Sequence, residues 1–129
     1  MFAKYMICED GFRNVREGEE VTGFQFQARL PYYRGLGLSM VEDLIITLDG
    51  EPIPRESILF TVRENTYTLA EMETESVDRW EFGEVATLTV KKPDGLAPGS
   101  HTLDLVERLR ISYLPFPSLT RDTKVLALA

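Results

Sequence analysis

Cysteine, histidine and positive charge are all scarce in this chain, and each scarcity excludes a class of protein. The 129 residues contain one cysteine, Cys8, so a fold held together by internal disulfides is excluded. A single histidine, His101, excludes a multi-histidine metal site within the chain. The 14 Lys and Arg residues stand against 21 Asp and Glu residues, for a net charge of −7 at pH 7. Phosphate backbones and anionic lipids repel such a chain, which argues against nucleic-acid and membrane partners.

Long apolar runs are also missing. The first eight residues, MFAKYMIC, are followed by Glu9 and Asp10 before the apolar segment of a signal peptide could form, which predicts a cytoplasmic protein. Hydrophobic residues make up 43% of the chain and charged residues 27%, the ordinary values of a globular protein. The length fits one domain.

Alternation of apolar and polar residues with a period of two is the dominant pattern. It predicts strands with one buried face in segments 21–30, 44–48, 58–63, 86–91 and 101–114. Turn signals such as Asp49-Gly50 separate these segments. The sequence therefore predicts an all-β, single-domain antiparallel β-sandwich, immunoglobulin-like or jelly-roll-like, with at most a short helical turn at Thr68–Met72. The residues predicted to point inward are Phe24, Phe26, Leu44, Ile46, Leu88, Val90, Leu109 and Ile111.

Glu107 interrupts the apolar face of the last long strand. Leu103, Leu105 and Leu109 share one face, and Glu107 falls in phase with them. Either a β-bulge near Val106 and Glu107 resets the register, or Glu107 is a buried carboxylate that needs a partner. We favour the bulge, because an unpaired buried charge is costly.

The end of the chain reads as a tail. Pro115 and Pro117 precede the polar stretch SLTRDTK, and proline is rare inside a sheet. We therefore predict a β-sandwich domain over residues 1–117. Residues 118–129 are predicted to form a C-terminal tail that leaves the sheet and packs on a surface of this chain or of a partner.

A search for chemistry identifies no catalytic residue, no metal ligands and no cofactor site within the chain. No nucleophile motif such as G-x-S-x-G is present. The acidic segment 71–84 could offer oxygen ligands to a hard cation such as calcium. It lacks the glycine-centred loop of an EF-hand, so a solvated charged face is the favoured interpretation.

Two segments are candidates for a partner- or substrate-facing surface. Tyr32, Tyr33 and Arg34 follow a strand end, and their flat rings and forked donor suit sugar or phenolic surfaces. The alternative is a loop whose tyrosines merely cover one end of the sandwich. Arg79 and Trp80 belong to residue types that are enriched at interfaces. The alternative makes Trp80 and Phe82 core aromatics.

The combined pattern resembles the small beta subunit of bacterial C-glycoside deglycosidases, from about Tyr5 to Pro117. None of the matching pieces is a catalytic signature, and the segment after Pro117 carries no usable resemblance. The most specific pieces are GFQF at 23–26, PYYRG at 31–35, RWEFG at 79–83, GLAPG at 95–99 and LRISY at 109–113.

The resemblance implies an enzyme of two unlike subunits, in which a larger (β/α)8-barrel alpha subunit is joined by a small β-sandwich beta subunit. The enzyme cleaves the carbon–carbon bond between a 3-oxo sugar and an aromatic aglycone such as a flavonoid. A divalent metal, usually manganese, is held by the alpha subunit. This chain would then be a non-catalytic subunit of a carbon–carbon lyase, which shapes or covers the active-site mouth or stabilises the barrel.

Two other functions compete with this one. The first is a free-standing carbohydrate-binding module, which also uses a β-sandwich with exposed tyrosine and tryptophan. Such modules are normally secreted or fused to an enzyme, and no signal peptide or linker is evident here. The second is a structural partner of some other barrel-type isomerase.

Overall fold

A computed structural model describes residues 6–31, 35–111 and 114–128. Two antiparallel sheets supply most of the structure, and their inner faces share one hydrophobic core. The elements are β1 Arg13–Glu17, β2 Glu20–Ala28, β3 Leu36–Gly37, β4 Val41–Leu48, β5 Glu51–Pro52, β6 Ile58–Val62, β7 Asn65–Thr68, α1 Leu69–Met72, β8 Arg79–Trp80, β9 Ala86–Lys91, β10 Gly99–Leu109 and β11 Ser118–Leu128.

The five-stranded sheet has the order β1-β2-β9-β6-β7, and the four-stranded sheet has the order β11-β10-β4-β5. A short two-stranded pairing of β3 with β8 adjoins them. The prediction of an all-β antiparallel fold with a short helical turn is confirmed. Within the described residues, α1 spans only Leu69–Met72, and no helix is long and apolar enough to cross a membrane.

The period-two pattern explains the core. Every residue predicted to point inward is buried, and the polar residues between them face outward or lie at half-exposed positions. Burial of a large apolar side chain contributes roughly 1.5–3 kcal/mol, so these rows supply most of the driving force for closing the two sheets. The buried rows include Phe24 and Phe26 on β2, Leu44 and Ile46 on β4, Leu88 and Val90 on β9, and Leu109 with Ile111.

The short elements form where the sequence signals them. Thr68 caps α1 by accepting a hydrogen bond from the backbone N–H of Glu71, and the Glu71 carboxylate accepts one from the backbone N–H of Thr68. This reciprocal capping box holds a single turn that propensity alone would not. Asp49 and Gly50 both have positive φ, as the tight turn between β4 and β5 requires.

The segment after Pro117 is a strand. Residues Ser118–Leu128 form β11, which pairs with β10 along its whole length, from Gly99 opposite Leu128 to Leu109 opposite Ser118. The prediction that residues 118–129 leave the sheet as a tail is therefore wrong for 118–128, which belong to the sandwich.

Polar residues on the inner side of β11 hide its strand pattern in the sequence. Asp122 is buried there and accepts hydrogen bonds from the backbone N–H of Ile7 (2.9 Å) and from Lys124 Nζ (2.6 Å). Ile7 also forms a bridge with Ala28 on β2. The N-terminal segment thereby connects the end of β2 in one sheet to the edge strand β11 of the other. The carboxylate of Asp122 has partners despite its burial.

Glu107 is fully buried in the core, and the predicted bulge at Val106 and Glu107 is wrong. The pairing of β10 with β11 runs without interruption through Glu107, which lies opposite Thr120 and Leu44. The irregularity lies on the other strand, where Glu42 is the extra residue beside Arg108 and Leu109. Both carboxyl oxygens of Glu107 are buried without a hydrogen-bond partner among the described residues.

The hydrogen bonds of the regular β10 ladder stabilise the fold more than burial of the Glu107 carboxyl destabilises it. Burial raises the pKa of the Glu107 carboxyl well above its usual range, so the side chain is held neutral. A buried neutral polar group without a partner costs roughly 1–3 kcal/mol, much less than an isolated buried charge. A bulge in β10 would disturb its pairing with two neighbouring strands at once, so the carboxyl stays inside.

Replacing Glu107 should make the free energy of unfolding less sensitive to rising pH. The carboxyl ionises near pH 4 in the unfolded chain but stays protonated in the folded one, so each pH unit above that point removes about 1.4 kcal/mol from the free energy of unfolding until the raised pKa is reached. We expect Glu107→Leu to gain stability over the native chain progressively as pH rises above about 4 in urea titrations. Glu107→Gln, which removes the charge but keeps a polar group, is the control for the slope. A stability difference that does not change with pH would contradict this account.

His101 connects two turns at one end of the four-stranded sheet. Its Nδ1 lies 2.7 Å from Asp49 Oδ2, and its Nε2 lies 2.7 Å from the backbone oxygen of Ala97. Because both neighbours are acceptors, the ring is best satisfied when both nitrogens carry protons. The Ala97 carbonyl and then the Asp49 carboxylate raise the pKa of His101 above its usual value. Both ring nitrogens of His101 are thus engaged in holding the two turns together.

Since its pKa is raised on folding, His101 should stabilise the fold most below about pH 6.5 and lose that contribution as pH rises through its folded pKa. We expect His101→Ala to destabilise the chain more at pH 5.5 than at pH 8.5, as measured by urea unfolding. Asp49→Asn should reduce the same pH dependence. A penalty for His101→Ala that grows with pH would show that the neutral ring is the stabilising form.

Candidate functional site

The residues that directly follow the first segment singled out in the sequence lie against the second segment. Tyr32, Tyr33 and Arg34 lie outside the described residues, but the glycine that follows them, Gly35, contacts Glu81. β3 then pairs with β8, which places Leu36 opposite Trp80. We call residues 35–37 together with 77–84 the end surface.

Trp80 supports the end surface from below. Its ring is fully buried, packs edge-on against Phe60 with centroids 5.1 Å apart, and donates from Nε1 to the backbone oxygen of Glu84 (2.9 Å). The hypothesis that Trp80 faces a partner is therefore corrected, because the core interpretation holds for this residue. Phe82, which that interpretation also placed in the core, has 51% of its surface exposed.

Arg79 is the predicted site residue that reaches solvent within the described part of the chain. Its side chain is half exposed, and its Nε donates to Glu81 Oε1 over 3.2 Å. Val77 and Phe82 are exposed on the same segment. The end surface therefore presents a guanidinium between apolar side chains, a combination that is common in binding surfaces.

The acidic segment 71–84 is organised around an arginine that sequence reasoning did not single out. Arg63 forms ion pairs with Asp78 and with Glu84, and it also donates to the backbone oxygen of Arg79. Arg63 sits at the turn between β6 and β7 with a positive φ. Arg63 precedes Asp78 by 15 residues, so the local sequence does not indicate that the two side chains pair.

Asp78 is the anchor of this network. It accepts from the Tyr67 hydroxyl (2.6 Å) and the Asn65 amide (3.2 Å), and its own backbone N–H donates to Glu75. The Tyr67 hydrogen bond is the main reason that the pKa of Asp78 lies below its usual value, and the same bond raises the pKa of Tyr67 to about 12. At neutral pH Asp78 is thus ionised and Tyr67 protonated. The network is a rigid support and not an acid–base pair.

A polar cleft of about 580 Å³ lies between β3, α1 and the four-stranded sheet, and sequence reasoning missed it. Arg108 and Arg110 both bind Glu42, the extra residue of the irregular β4 pairing. On the other side Arg55 bridges Asp43 and Glu73, each at 3.2 Å. The sequence signal for this cleft was the break in apolar–polar alternation after Val41. There the two successive acidic residues Glu42 and Asp43 line the cleft.

The described residues contain no group of three His, Cys, Asp or Glu side chains that could hold a metal ion. The acidic segment is instead satisfied by Arg63, Tyr67 and backbone N–H groups. Its residues therefore do not fit the calcium site that was weighed from the sequence.

Comparison with known proteins identifies relatives over most of the chain. The family model described as C-glycoside deglycosidase beta subunit matches residues 2–113. A C-glycoside deglycosidase beta subunit of Eubacterium cellulosolvens is 40% identical over 113 residues, which cover 87% of this chain and 77% of that protein. A 3'-dehydrocarminate deglycosidase beta subunit of Microbacterium sp is 32% identical over 116 residues, covering 89% of this chain and 83% of that protein. A C-glycoside deglycosidase beta subunit of Arthrobacter globiformis is 33% identical over 101 residues, covering 78% and 70%.

Two glycines two positions apart, Gly35 and Gly37, test how the end surface is built. A Cβ on Gly35 would lie 1.7 Å from Glu81 Oε1 and 3.1 Å from Glu81 Cα, whereas a Cβ on Gly37 would meet nothing within 4 Å. We expect Gly35→Ala to lower the free energy of unfolding by about 1–3 kcal/mol, the usual range for overpacking, because Glu81 must move and its pairing with Arg79 is disturbed.

Gly37→Ala is the matched control and should leave the melting temperature unchanged or slightly raised, since alanine restricts the unfolded chain. Thermal unfolding of the two variants side by side measures the difference. Equal melting temperatures would show that the close contact between residues 35 and 81 does not constrain the end surface.

Proposed function

Because the chain belongs to the C-glycoside deglycosidase beta subunit family, we propose that it acts as the non-catalytic subunit of a two-subunit carbon–carbon lyase. The family match over residues 2–113 is the observation that carries this proposal. The structure supports it, because the ionisable groups of the described end surface are engaged in structural pairs. The partner is a larger alpha subunit with a (β/α)8-barrel fold.

The substrate class is a 3-oxo-C-glycoside with an aromatic aglycone such as a flavonoid. The ketone at C3 acidifies the hydrogen on C2, so a base can remove that proton. The bond between C1 and the aglycone then breaks with its electrons going to the aglycone carbon, which takes up a proton, and a double bond forms between C1 and C2 of the sugar. The chemistry needs a base, a proton donor and polarisation of the sugar oxygens.

We assign the base and the divalent metal, expected to be manganese, to the alpha subunit. The described residues of this chain offer no cluster of ligands for such an ion, so none of its side chains is given that role. Metal polarisation of the sugar oxygens would be supplied from the partner's side.

This chain contributes shape to the complex. We propose that the end surface, together with Tyr32, Tyr33 and Arg34, lies near the mouth of the partner's active site. Arg79 is already exposed there, and the buried ring of Trp80 holds β8 in place beneath it. Aromatic and guanidinium groups in that position can exclude water and narrow the channel for the aglycone.

We place the complex in the cytoplasm. Cys8 is a free thiol buried beside the N-terminal bridge, and its burial raises its pKa. A buried protonated thiol is an inert structural group, and it is compatible with a reducing compartment.

Activity should require both subunits. We expect the purified chain alone to show no turnover of a 3-oxo-C-glycoside and the co-expressed pair with its larger subunit to release the free aglycone, as followed by liquid chromatography. Arg79→Ala should lower turnover by the pair while leaving the melting temperature of the isolated chain within a few degrees, because Arg79 is exposed.

Turnover by this chain alone would overturn the non-catalytic assignment. Failure to associate with the larger subunit, combined with binding of simple sugars by the isolated chain, would favour a carbohydrate-binding module instead.

A further inference from the structure

Exposed apolar side chains gather on the outer face of the four-stranded sheet. Leu119 and Val125 on β11 are 66% and 67% exposed, and Ile45 on β4 is 43% exposed. Val106 on β10 lies opposite Ile45 on β4 and opposite Arg121 on β11. We call the outward side chains of β4, β10 and β11 the sheet face. Leu119 and Val125 are six residues, or about 20 Å, apart on β11, and Arg121 and Thr123 lie between them on the same face.

The outer face of the other sheet has a different composition. Apart from the half-buried Leu59, its paired central positions are polar and hydrogen-bond readily with water. These residues are Gln25, Gln27, Thr61, Thr87 and Thr89. The sheet face therefore exposes more large apolar side chains than the central strands of the other sheet do, and it gains more from being covered.

The charges on the sheet face are arranged so that arginines reach outward. Arg121 is 71% exposed, whereas its partner Asp104 is only 11% exposed and lies beneath it, 2.8 Å away. Arg108 and Arg110 are likewise half exposed or more, and both cover the same largely buried Glu42. A chain with a net charge of −7 thus shows guanidinium groups among the exposed apolar side chains of this face.

The sheet face is continuous with a second exposed apolar group and with the polar cleft. Phe116 is 63% exposed and borders a pocket that also contains Glu42 and Arg110. The 580 Å³ cleft is lined by Arg108 and by Ser39, which follows β3 at the end surface. A face of three strands, about 15 Å wide and about 30 Å long, has an area of about 450 Å², so with Phe116 it supplies more than half of the roughly 800 Å² per partner of a standard interface.

We propose that the sheet face and Phe116 form the surface on which the larger subunit docks, and that the docked surface has an apolar centre bordered by carboxylates. This proposal rests on the proposed function, since it assumes a complex with that subunit. The partner's carboxylates would pair with Arg108, Arg110 and Arg121, residues of the type that dominates binding energy in interfaces. The cleft then connects this docking area to the end surface.

A second copy of this chain does not fit the same surface. Two sheet faces would bring exposed arginines of the same kind together, and each copy carries a net charge of −7. Pairing of two β11 edges is also hindered, because Asp122 and Lys124 point inward from that strand, and inward charges protect an edge from pairing.

The test measures binding of the purified chain to its immobilised larger subunit by biolayer interferometry. Leu119→Asp and Val125→Asp should each weaken binding about tenfold or more, because each removes apolar contact and adds a charge that carboxylates repel. Thr66→Asp, on the edge strand β7 of the other sheet, is the matched control and should bind within about twofold of the native chain. Circular dichroism melting checks that each exposed substitution leaves the fold intact.

The charge of the partner surface is tested with Arg121→Gln, which should weaken binding severalfold at low salt and less at high salt. Size-exclusion chromatography with light scattering measures whether the isolated chain is a monomer, as we expect. Native-like binding by Leu119→Asp and Val125→Asp, while the complex still forms, would overturn the docking surface and leave the proposed function intact. A dimer of the isolated chain that dissociates in Leu119→Asp would reassign the sheet face to self-association. Absence of any complex with the larger subunit would overturn both proposals.

Discussion

The pairing of β10 with a strand on each side is the constraint on which the rest of the molecule depends. All 11 residues of β10 are matched by β11, and seven of them are also matched by β4. Because side chains alternate strictly along such a strand, the ladder decides which residues enter the core and which face out. It keeps the carboxyl of Glu107 inside and sends Arg108 to the surface. The compensating irregularity falls on β4, where Glu42 turns toward the cleft.

The two surfaces proposed for assembly follow from this constraint and from one salt-bridge network. The phase of β10 and β11 places Leu119 and Val125 outside, and Arg63 fixes the acidic loop that carries Arg79. The cleft lies where the two regions meet. A subunit built in this way offers a partner the sheet face and the end surface. On both surfaces, ion pairs hold charged side chains in position.

Sequence patterning predicted the core strands because each has an uninterrupted apolar row, as Phe24 and Phe26 show. It failed for β11, whose inner face carries Asp122 and Lys124. Those residues are acceptable only because Ile7, more than 100 residues away, supplies a backbone donor to Asp122. It also misplaced the irregularity, since the local sequence does not tell which of two paired strands will hold an extra residue. Trp80 and Phe82 share a strand-like spacing, yet only Trp80 is buried, because β8 ends after it.

The order of strands in the four-stranded sheet has a consequence for synthesis. β4 and β5 leave the ribosome early, but the neighbour of β4 is β10, some 60 residues later, and β11 completes the sheet only after β10 has emerged. Contacts between such distant segments form slowly, because closing the long loop between them costs chain entropy before the contacts can stabilise the fold. The N-terminal segment can pair with β2 early, but its hydrogen bond to Asp122 forms only once β11 is present. A nascent chain therefore has no finished four-stranded face until β11 has been synthesised, and the proposed assembly through that face is postponed until then.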